Sequence, residues 1–584
     1  MKRGLAFSVV AVGFLGSVYA CGSKSSDNGF QTPGGDADGG AGGEGGIIPG
    51  SDGGLIGSDG GSSGDGGTIV GDPKDCNEAK TSKSYVGCDY YPTVTANGVW
   101  NIFDYAVVVS NTSTTPADIT VTGGALTAAS TVTVAPNELK TIYLPWVTAL
   151  KGGDADNCGN PPAIPNSVMA AGGAYHLVST SPVVVYQFNA LEYKGAGGPT
   201  GKDWSGSKCP GNTTCTTPQG SSTVGCFSFS NDSSLLLPST AMTGNYRVTG
   251  HQGIGSTTSG TNTFFTVTAT QDNTTVTTTL STKGANMASA DGTTIPAKAG
   301  GGSLTFVLAH AGDVAEVFGG EGNAADFSGS LVQGDKPIQV ISGVSALTIP
   351  ANKAAADHTE ETVLPVETLG KHYVVSMPDK PGGGIGLGTI RFYGNQDGTT
   401  LTYNGTTPKG CPTSINAGET KECTVGSVST FGKVTSQDVE VTGSKELGVA
   451  LFQQGSSVYG TLGTNSKGDP SESVIASVEQ FRVKYLFLAP NDYTESYADI
   501  VGPSDAAPVV DGTAVASAPS TIGSGPYAVW RVKLGKGPKN DGAHTLTSTQ
   551  PVGLQVLGYG DYTSYQYPGG LNLNLITAPP PPPR

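Results

Sequence analysis

Hydrophobic and polar residues alternate with a period of two along much of the chain beyond residue 76. In Thr266-Val267-Thr268-Ala269 every second side chain is apolar, which is typical of a strand with one face in a core and the other in water. Clusters of Gly, Asn, Asp and Pro interrupt such runs and indicate turns. The pattern therefore predicts an all-β fold in which helix is minor.

Three short elements recur along the chain. The first predicts strand, tight turn and strand, with Pro or its substitute opening the second strand. The second joins Asp-Asn or Asp-Gly to alternating Thr and apolar residues, which predicts hairpins. The third is a Leu-Pro pair that precedes a Tyr-containing strand. The copies lie at 173–183, 329–340, 439–449 and 542–552 for the first element, at 271–277 and 396–402 for the second, and at 237–248 and 364–375 for the third.

The order of these elements defines a repeating unit of about 100 residues, a length that suits a β-sandwich. Propeller blades are shorter, about 40–50 residues, so we expect about four tandem β-sandwich-like units. The predicted division is a signal peptide at 1–20, a lipid-attachment Cys and tether at 21–75, β units at 76–235 (with a disulfide-rich insertion), 236–362, 363–470 and 471–576, and a Pro-rich tail at 577–584.

The N-terminus has the layout of a secretory signal. Lys2 and Arg3 precede an apolar run over 5–18, which is too short for a comfortable transmembrane span. Tyr19-Ala20-Cys21 follows and resembles a bacterial lipobox, so we expect Cys21 to be diacylated and to anchor the protein in a membrane. The alternative is an ordinary secretory signal with an incidental cysteine. Gly22, where an Asp would be a retention signal, favours export to the outer membrane or cell surface.

A Gly-rich segment follows Cys21. Of the 50 residues from 22 to 71, 20 are Gly, and such a segment buries too little apolar area to offset its chain entropy. We expect it to be a disordered tether with a reach of about 35–42 Å.

Eight further cysteines indicate disulfides, because an exported chain with an even number is typically oxidised. Cys76 with Cys88, and Cys411 with Cys423, are each expected to close a short loop. Cys158, Cys209, Cys215 and Cys226 are expected to pair among themselves, in an order that the sequence leaves open. A metal site is disfavoured, since there is no CxxC pair and the histidines are scattered.

The charge balance of the chain limits the classes of partner that we expect. The chain has 47 acidic against 31 basic residues and a net charge of −16. Because no basic cluster is present, the sequence disfavours nucleic acid as a main partner. The HExxH, P-loop and dinucleotide-binding motifs are absent from the sequence, and the sequence predicts no catalytic residues, metal or cofactor.

Two polar or aromatic clusters are the remaining candidates for a site. Asp357-His358-Thr359-Glu360-Glu361 is the densest polar run, and we expect it to be a solvated turn between units. Four tyrosines near the C-terminus form a possible binding surface, since Tyr gives large contact area at low entropic cost; they are Tyr559, Tyr562, Tyr565 and Tyr567. The alternative is that they pack against Leu571 and Leu573.

Four segments together carry a resemblance to a known family. The runs 364–375, 478–481, 542–546 and 562–570 resemble the IgGFc-binding protein N-terminal domain family, and the likeness extends over most of 76–576. The family includes animal mucus proteins and bacterial surface lipoproteins, and it supplies no catalytic residues. One departure is Ala356, where the family usually has Cys.

The resemblance and the anchor together imply a non-enzymatic cell-surface lipoprotein that binds an extracellular protein or glycan. Immunoglobulin binding is not implied, because a shared fold can carry a different recognition surface. The alternatives are an anchored polysaccharide hydrolase and a passive component of the envelope.

Overall fold

The computed structural model describes residues 72–583, except 218–219, 255–260, 321–324, 352, 354, 431 and 460–466. The predicted signal peptide, Cys21 and nearly all of the predicted tether lie outside these residues. The described part is almost entirely β, with two short α-helices, α1 (Cys76–Ser82) and α2 (Thr148–Lys151), so the all-β prediction is confirmed. Neither helix is long and apolar enough to cross a membrane.

We group the strands of the described chain into four successive units, following the sheets that they form. The first contains β1 (Gly87–Tyr90), β2 (Tyr105–Asn111), β3 (Ala117–Gly123), β4 (Ser130–Val134), β5 (Leu139–Leu144), β6 (Val168–Ala170), β7 (Tyr175–Asn189), β8 (Cys215–Thr217), β9 (Gly220–Ser222) and β10 (Ser233–Leu235). The second contains β11 (Asn245–Arg247), β12 (Thr263–Ala269), β13 (Thr274–Thr279), β14 (Ser303–Leu308), β15 (Val314–Phe318), β16 (Leu331–Gly334), β17 (Ile338–Leu347) and β18 (Asp357–Thr362).

The other two units contain the remaining strands. The third contains β19 (His372–Val375), β20 (Gly388–Gly394), β21 (Thr399–Tyr403), β22 (Ser414–Ile415), β23 (Thr420–Val425), β24 (Ser427–Val428), β25 (Val434–Thr435), β26 (Val439–Gly443), β27 (Leu447–Gln453) and β28 (Glu472–Val474). The fourth contains β29 (Arg482–Leu488), β30 (Glu495–Pro503), β31 (Val509–Val510), β32 (Thr513–Ala514), β33 (Ser520–Thr521), β34 (Tyr527–Leu534), β35 (Ala543–Gly560) and β36 (Thr563–Pro568).

The second and third units are each built from two main sheets in a shared strand order. In the second unit the orders are β11-β16-β13-β14 and β18-β17-β12-β15, and in the third they are β19-β26-β21-β22 and β28-β27-β20-β23. In the first and fourth units one long strand, β7 or β35, pairs with one set of neighbours along its first half and with another set along its second half. Buried apolar clusters lie within the units, as expected for sandwiches wet on their outer faces.

The first repeated element forms the predicted strand, short connection and strand in the second and third units and one continuous strand in the first and fourth. In the second unit its two strands do not pair with each other, so the element is a crossover between sheets. β16 pairs with β11 and β13, whereas β17 pairs with β12 and β18. In β7 the chain continues through Pro182 without a turn, and the register with β1 shifts between Gly87 and Asp89. Proline lacks an N–H, so the ladder is interrupted where the strand passes from one set of neighbours to the other.

The second repeated element also links two sheets, so its prediction as a hairpin is wrong. The turn residues behave as expected: Asn273 and Gly398 have positive φ, and the Thr274 hydroxyl donates to the carbonyl of Gln271 at 2.7 Å. The flanking strands, however, pair elsewhere: β12 with β15 and β17, and β13 with β14 and β16.

Strand pairing crosses the predicted boundaries at two places. β6, from the first unit, pairs with β15 and becomes an edge strand of a sheet of the second unit. β28, which lies after residue 470, pairs with β27. The division of the chain at the other predicted boundaries stays a prediction.

Candidate functional site

A pocket of about 470 Å³ lies where the first unit meets the second. Ligand sites of this size are common in proteins, in the range of about 300–1,000 Å³. Apolar side chains line much of it, among them Leu150, Pro161, Ile164, Val168, Met169 and Phe318. No motif in the sequence points to this pocket. The run Pro161-Pro162-Ala163-Ile164-Pro165, which lines it, is too rich in proline to be a central strand.

The pocket is held together by strand pairing between the two units. β6 pairs with β15 from Val168–Glu316 to Ala170–Val314. Just before β6, the Ser167 hydroxyl donates to the carbonyl of Met287 at 2.5 Å and accepts from the backbone N–H of Phe318 at 3.1 Å. The pocket wall from the first unit is therefore fixed to the second unit by backbone hydrogen bonds.

The two ionisable side chains that line the pocket are already engaged. Lys151 has a fully buried side chain that donates to Asp154 at 2.7 Å, and burial lowers its pKa. Asp291 accepts hydrogen bonds from the Ser289 hydroxyl and from Thr294, and these bonds hold the pKa of Asp291 well below its usual range. Both groups are therefore bonded to partners within the chain.

A second unusual site lies where the four units meet. Six carboxylic acids are buried there, and we call them the junction carboxyls: Asp232, Asp357, Glu360, Glu361, Asp469 and Glu472. The predicted solvated turn at 357–361 is wrong, because these residues form β18 and are fully buried. Burial disfavours the charged form, and it raises the pKa of Glu360 and Asp469 to about 7 and that of Glu472 to about 8.

His358 is buried beside these acids. Its Nε2 lies 3.3 Å from the side-chain amide of Asn189, its ring stacks near Phe264, and its Nδ1 has no hydrogen-bond partner. Burial lowers the pKa of His358 to about 3, so the imidazole is neutral at physiological pH. Across the described residues, no three His, Cys, Asp or Glu side chains are grouped so as to hold a metal ion.

Of the four tyrosines considered as a binding surface or as packing residues, three lie in the interior. Tyr559, Tyr565 and Tyr567 are buried, and the last two belong to the same apolar core as Leu571 and Leu573. Their hydroxyls donate to Asp379, Ser496 and Leu488, respectively. Tyr562 is half-buried and packs against Phe227 and Phe229 of the first unit's insertion. These side chains stabilise the fold and offer little area to a partner.

All eight cysteines after Cys21 form disulfides. The two predicted local bridges, Cys76–Cys88 and Cys411–Cys423, are present. The order that the sequence left open is Cys158–Cys215 and Cys209–Cys226. Cys209–Cys226 closes the segment that contains β8 and β9, and Cys158–Cys215 ties β8 to the loop that follows α2.

Three comparisons with known proteins bear on identity. A search of curated proteins finds no match. Among solved structures, the crystal structure of a tetra-tandem repeat in the extending region of a large adhesion protein aligns with 9% identity and a TM-score of 0.09, over 82% of this chain and 99% of that one. At so low a TM-score the alignment is not evidence of a shared fold.

The remaining comparison is with protein-family models. The model described as IgGFc binding protein matches residues 232–558. The match begins at the first of the junction carboxyls, spans the second and third units, and ends within β35 of the fourth. Since it covers more than half of the sequence, the chain belongs to the IgGFc binding protein family.

Proposed function

We propose that this protein is a non-enzymatic binding protein of the bacterial cell surface, lipid-anchored at Cys21, that contacts an extracellular protein or glycan. The family and the four disulfides support an extracellular setting. The sequence at 1–21 supports the anchor. Membership of a family named for immunoglobulin Fc makes Fc one of the partners to be tried.

The pocket between the first two units carries the proposal. Its ionisable groups are bonded to partners within the chain. Two serine hydroxyls that line it are also hydrogen-bonded within the chain: Ser289 donates to the carboxyl of Asp291, and Ser345 donates to the carbonyl of Asn262. A site with satisfied polar groups and an apolar lining favours binding of an apolar group and not proton-transfer chemistry. The partner is therefore expected to insert an apolar anchor here, as central hot spots do in protein interfaces.

Filling the pocket tests this proposal. Ala290 lines the pocket and is exposed, so Ala290→Trp should occupy the space without disturbing the core. Binding of the full chain to immobilised Fc, to extracellular proteins and to a glycan array is measured first. For whichever partner binds, Ala290→Trp should weaken the affinity at least about tenfold, as loss of a hot-spot contact does.

Ala514→Trp is the matched control, because Ala514 is an exposed residue of β32 in the fourth unit. It should leave the affinity unchanged. Equal binding by both variants would remove the pocket from the proposal. Turnover of a polysaccharide by the full chain would overturn the non-enzymatic assignment.

The anchor is tested separately with Cys21→Ser. Without the thiol no thioether to lipid can form, so acyl labelling should disappear and the protein should leave the membrane fraction. A neighbouring substitution, Ser23→Ala, should change neither property. Unchanged membrane partition of Cys21→Ser would contradict the lipid anchor, whatever the pocket binds.

A further inference from the structure

Each unit contributes its last strand to a common junction. These strands are β10, β18, β28 and β36, which pair within their own units with β7, β17, β27 and β35. Across units, β10 contacts β18 and β36, and β28 contacts β18 and β36. The four sandwiches thus meet through one strand from each.

Glu360 lies on the side of the junction nearest the first unit. Its carboxyl accepts from the hydroxyl of Thr95 at 2.6 Å and from the side-chain amide of Gln187 at 2.9 Å. Its own backbone N–H donates to the carboxyl of Asp232 at 3.0 Å. One acid of β18 is therefore bonded directly to the acid that precedes β10.

Glu361 and Glu472 bridge the second and third units. The carboxyl of Glu361 accepts from the backbone N–H of Val474 at 3.4 Å, and that of Glu472 accepts from the hydroxyl of Thr359 at 3.4 Å. The other oxygen of Glu472, Oε1, is buried and has no hydrogen-bond partner. On the far side, Asp357 accepts from the hydroxyl of Thr563, which opens β36.

No cation among the described residues is available to neutralise these acids. His358 on β18 is neutral. The titratable side chains of β36 are Tyr565 and Tyr567, which cannot carry a positive charge. Arg391 on β20 exerts some attraction on Glu472, but its guanidinium is bonded to Asp326 and to the carbonyl of Gly250. Glu316 on β15 is another buried acid, and its ionisation would add a further negative charge. Ionised carboxylates in this setting would be desolvated and would repel one another.

We propose that the junction is a proton-controlled lock, in which the four units are held together while the junction carboxyls are protonated and are loosened when these groups ionise. The burial of six acids at one junction, with no free cation beside them among the described residues, favours the protonated forms, since a neutral acid is cheaper to bury than a charged one. Beyond the values for Glu360, Asp469 and Glu472, burial raises the pKa of Asp232, Asp357 and Glu361 well above the ordinary range, and neighbouring carboxylates raise it further.

The sign of the pH dependence follows from these shifts. A carboxyl whose folded pKa is raised holds its proton more tightly in the folded than in the unfolded chain. Its contribution to stability is complete below the unfolded pKa, near 4.3 for Glu, and is lost as the pH rises through the folded value. For Glu472 that window ends at about pH 8. Each such group raises the unfolding equilibrium constant by about tenfold per pH unit inside its window.

The experiment compares the full chain with its Glu472→Gln variant by urea unfolding between pH 5 and pH 9. The amide has the shape of the protonated acid and cannot ionise. Glu472→Gln should therefore be more stable than the wild type at pH 8. Between pH 5 and pH 7 the unfolding constant of the variant should rise less steeply with pH, and the difference from the wild-type slope should be about one decade per pH unit. Glu78→Gln, at an exposed position in the first turn of α1, is the control and should keep the wild-type slope.

Two outcomes would overturn the lock. If Glu472 is ionised and paired, Glu472→Gln will be less stable than the wild type at pH 8 with an unchanged slope. If a cation holds the junction, purified protein will carry stoichiometric Ca²⁺ or Mg²⁺, and EDTA will destabilise it at pH 8.

A spectroscopic readout keeps the test informative if Glu472→Gln fails to fold. The infrared C=O stretching band of protonated carboxylic acids should be present in the wild type at pH 7 and should fade between pH 7 and pH 9. It should be weaker in Glu361→Gln than in the wild type. Absence of that band at pH 7 would also overturn the proposal.

Discussion

In every unit a buried tyrosine hydroxyl donates a hydrogen bond to a backbone carbonyl at the crossover between neighbouring sets of strands. The hydroxyl of Tyr246 donates to the carbonyl of Ile338 at 2.6 Å, at the first residue of β17. Tyr90, Tyr373 and Tyr485 donate in the same way to the carbonyls of Val183, Leu447 and Val552, each directly after the Pro or its substitute in the first repeated element. The carbonyl at the point where the chain changes sheets therefore keeps a partner, as a buried carbonyl must.

Removing one such hydroxyl tests its contribution at the scale of a residue. Tyr246 also accepts from the backbone N–H of Thr243 at 3.2 Å, so Tyr246→Phe leaves a buried acceptor and a donor without that partner. We expect a loss of about 1–3 kcal/mol in the free energy of unfolding, measured by urea denaturation at pH 6. Tyr143→Phe, on a half-exposed ring of β5, should cost less than about 0.5 kcal/mol. Equal losses in the two variants would show that the hydroxyl at the crossover has no special role.

At the scale of the element, the sequence predicts strands and turns well and their partners poorly. The turn at 271–274 has the expected residues and conformation because Asn adopts positive φ at little cost. Turn chemistry reverses the chain, but it does not choose which strand lies alongside. In these units the partner is set by burial of two sheets against each other, a property of the whole sandwich.

The disulfides also show that the sequence predicts local partners better than distant ones. Cys76–Cys88 and Cys411–Cys423 each span 12 residues, and no other cysteine is near in sequence, so the pairing could be predicted. Cys158–Cys215 spans 57 residues, and its choice over the other cysteines of the insertion depends on tertiary contacts.

The two candidate sites could not be predicted from the sequence for different reasons. The sequence places the run 357–361 in solvent, because acidic residues are almost never fully buried unless they are paired. Here the compensating partners, Thr95 and Gln187 for Glu360, come from a different unit. The pocket combines the proline-rich segment 161–165 with Phe318, about 150 residues later, and no local pattern connects them.

At the scale of the whole molecule, the four units share elements that independent domains would not share. β6 leaves the first unit to extend a sheet of the second, and the last strands of all four units pack together. The core of the fourth unit also includes residues of the first, among them Tyr186, whose hydroxyl donates to the carbonyls of Leu486 and Gly569. Unfolding of any one unit would therefore expose buried surface on its neighbours.

This sharing predicts cooperative unfolding, although chains of this length often unfold domain by domain. At pH 6, with the junction carboxyls largely protonated, scanning calorimetry of the full chain should give one transition, with a calorimetric enthalpy close to the van't Hoff enthalpy. At pH 9, ionisation at the junction should broaden or split that transition, since contacts between units weaken before those within them. Limited proteolysis should then release fragments that end between units at pH 9 and not at pH 6. Several resolved transitions already at pH 6 would show that the units are energetically independent and that the junction is only a place where they touch.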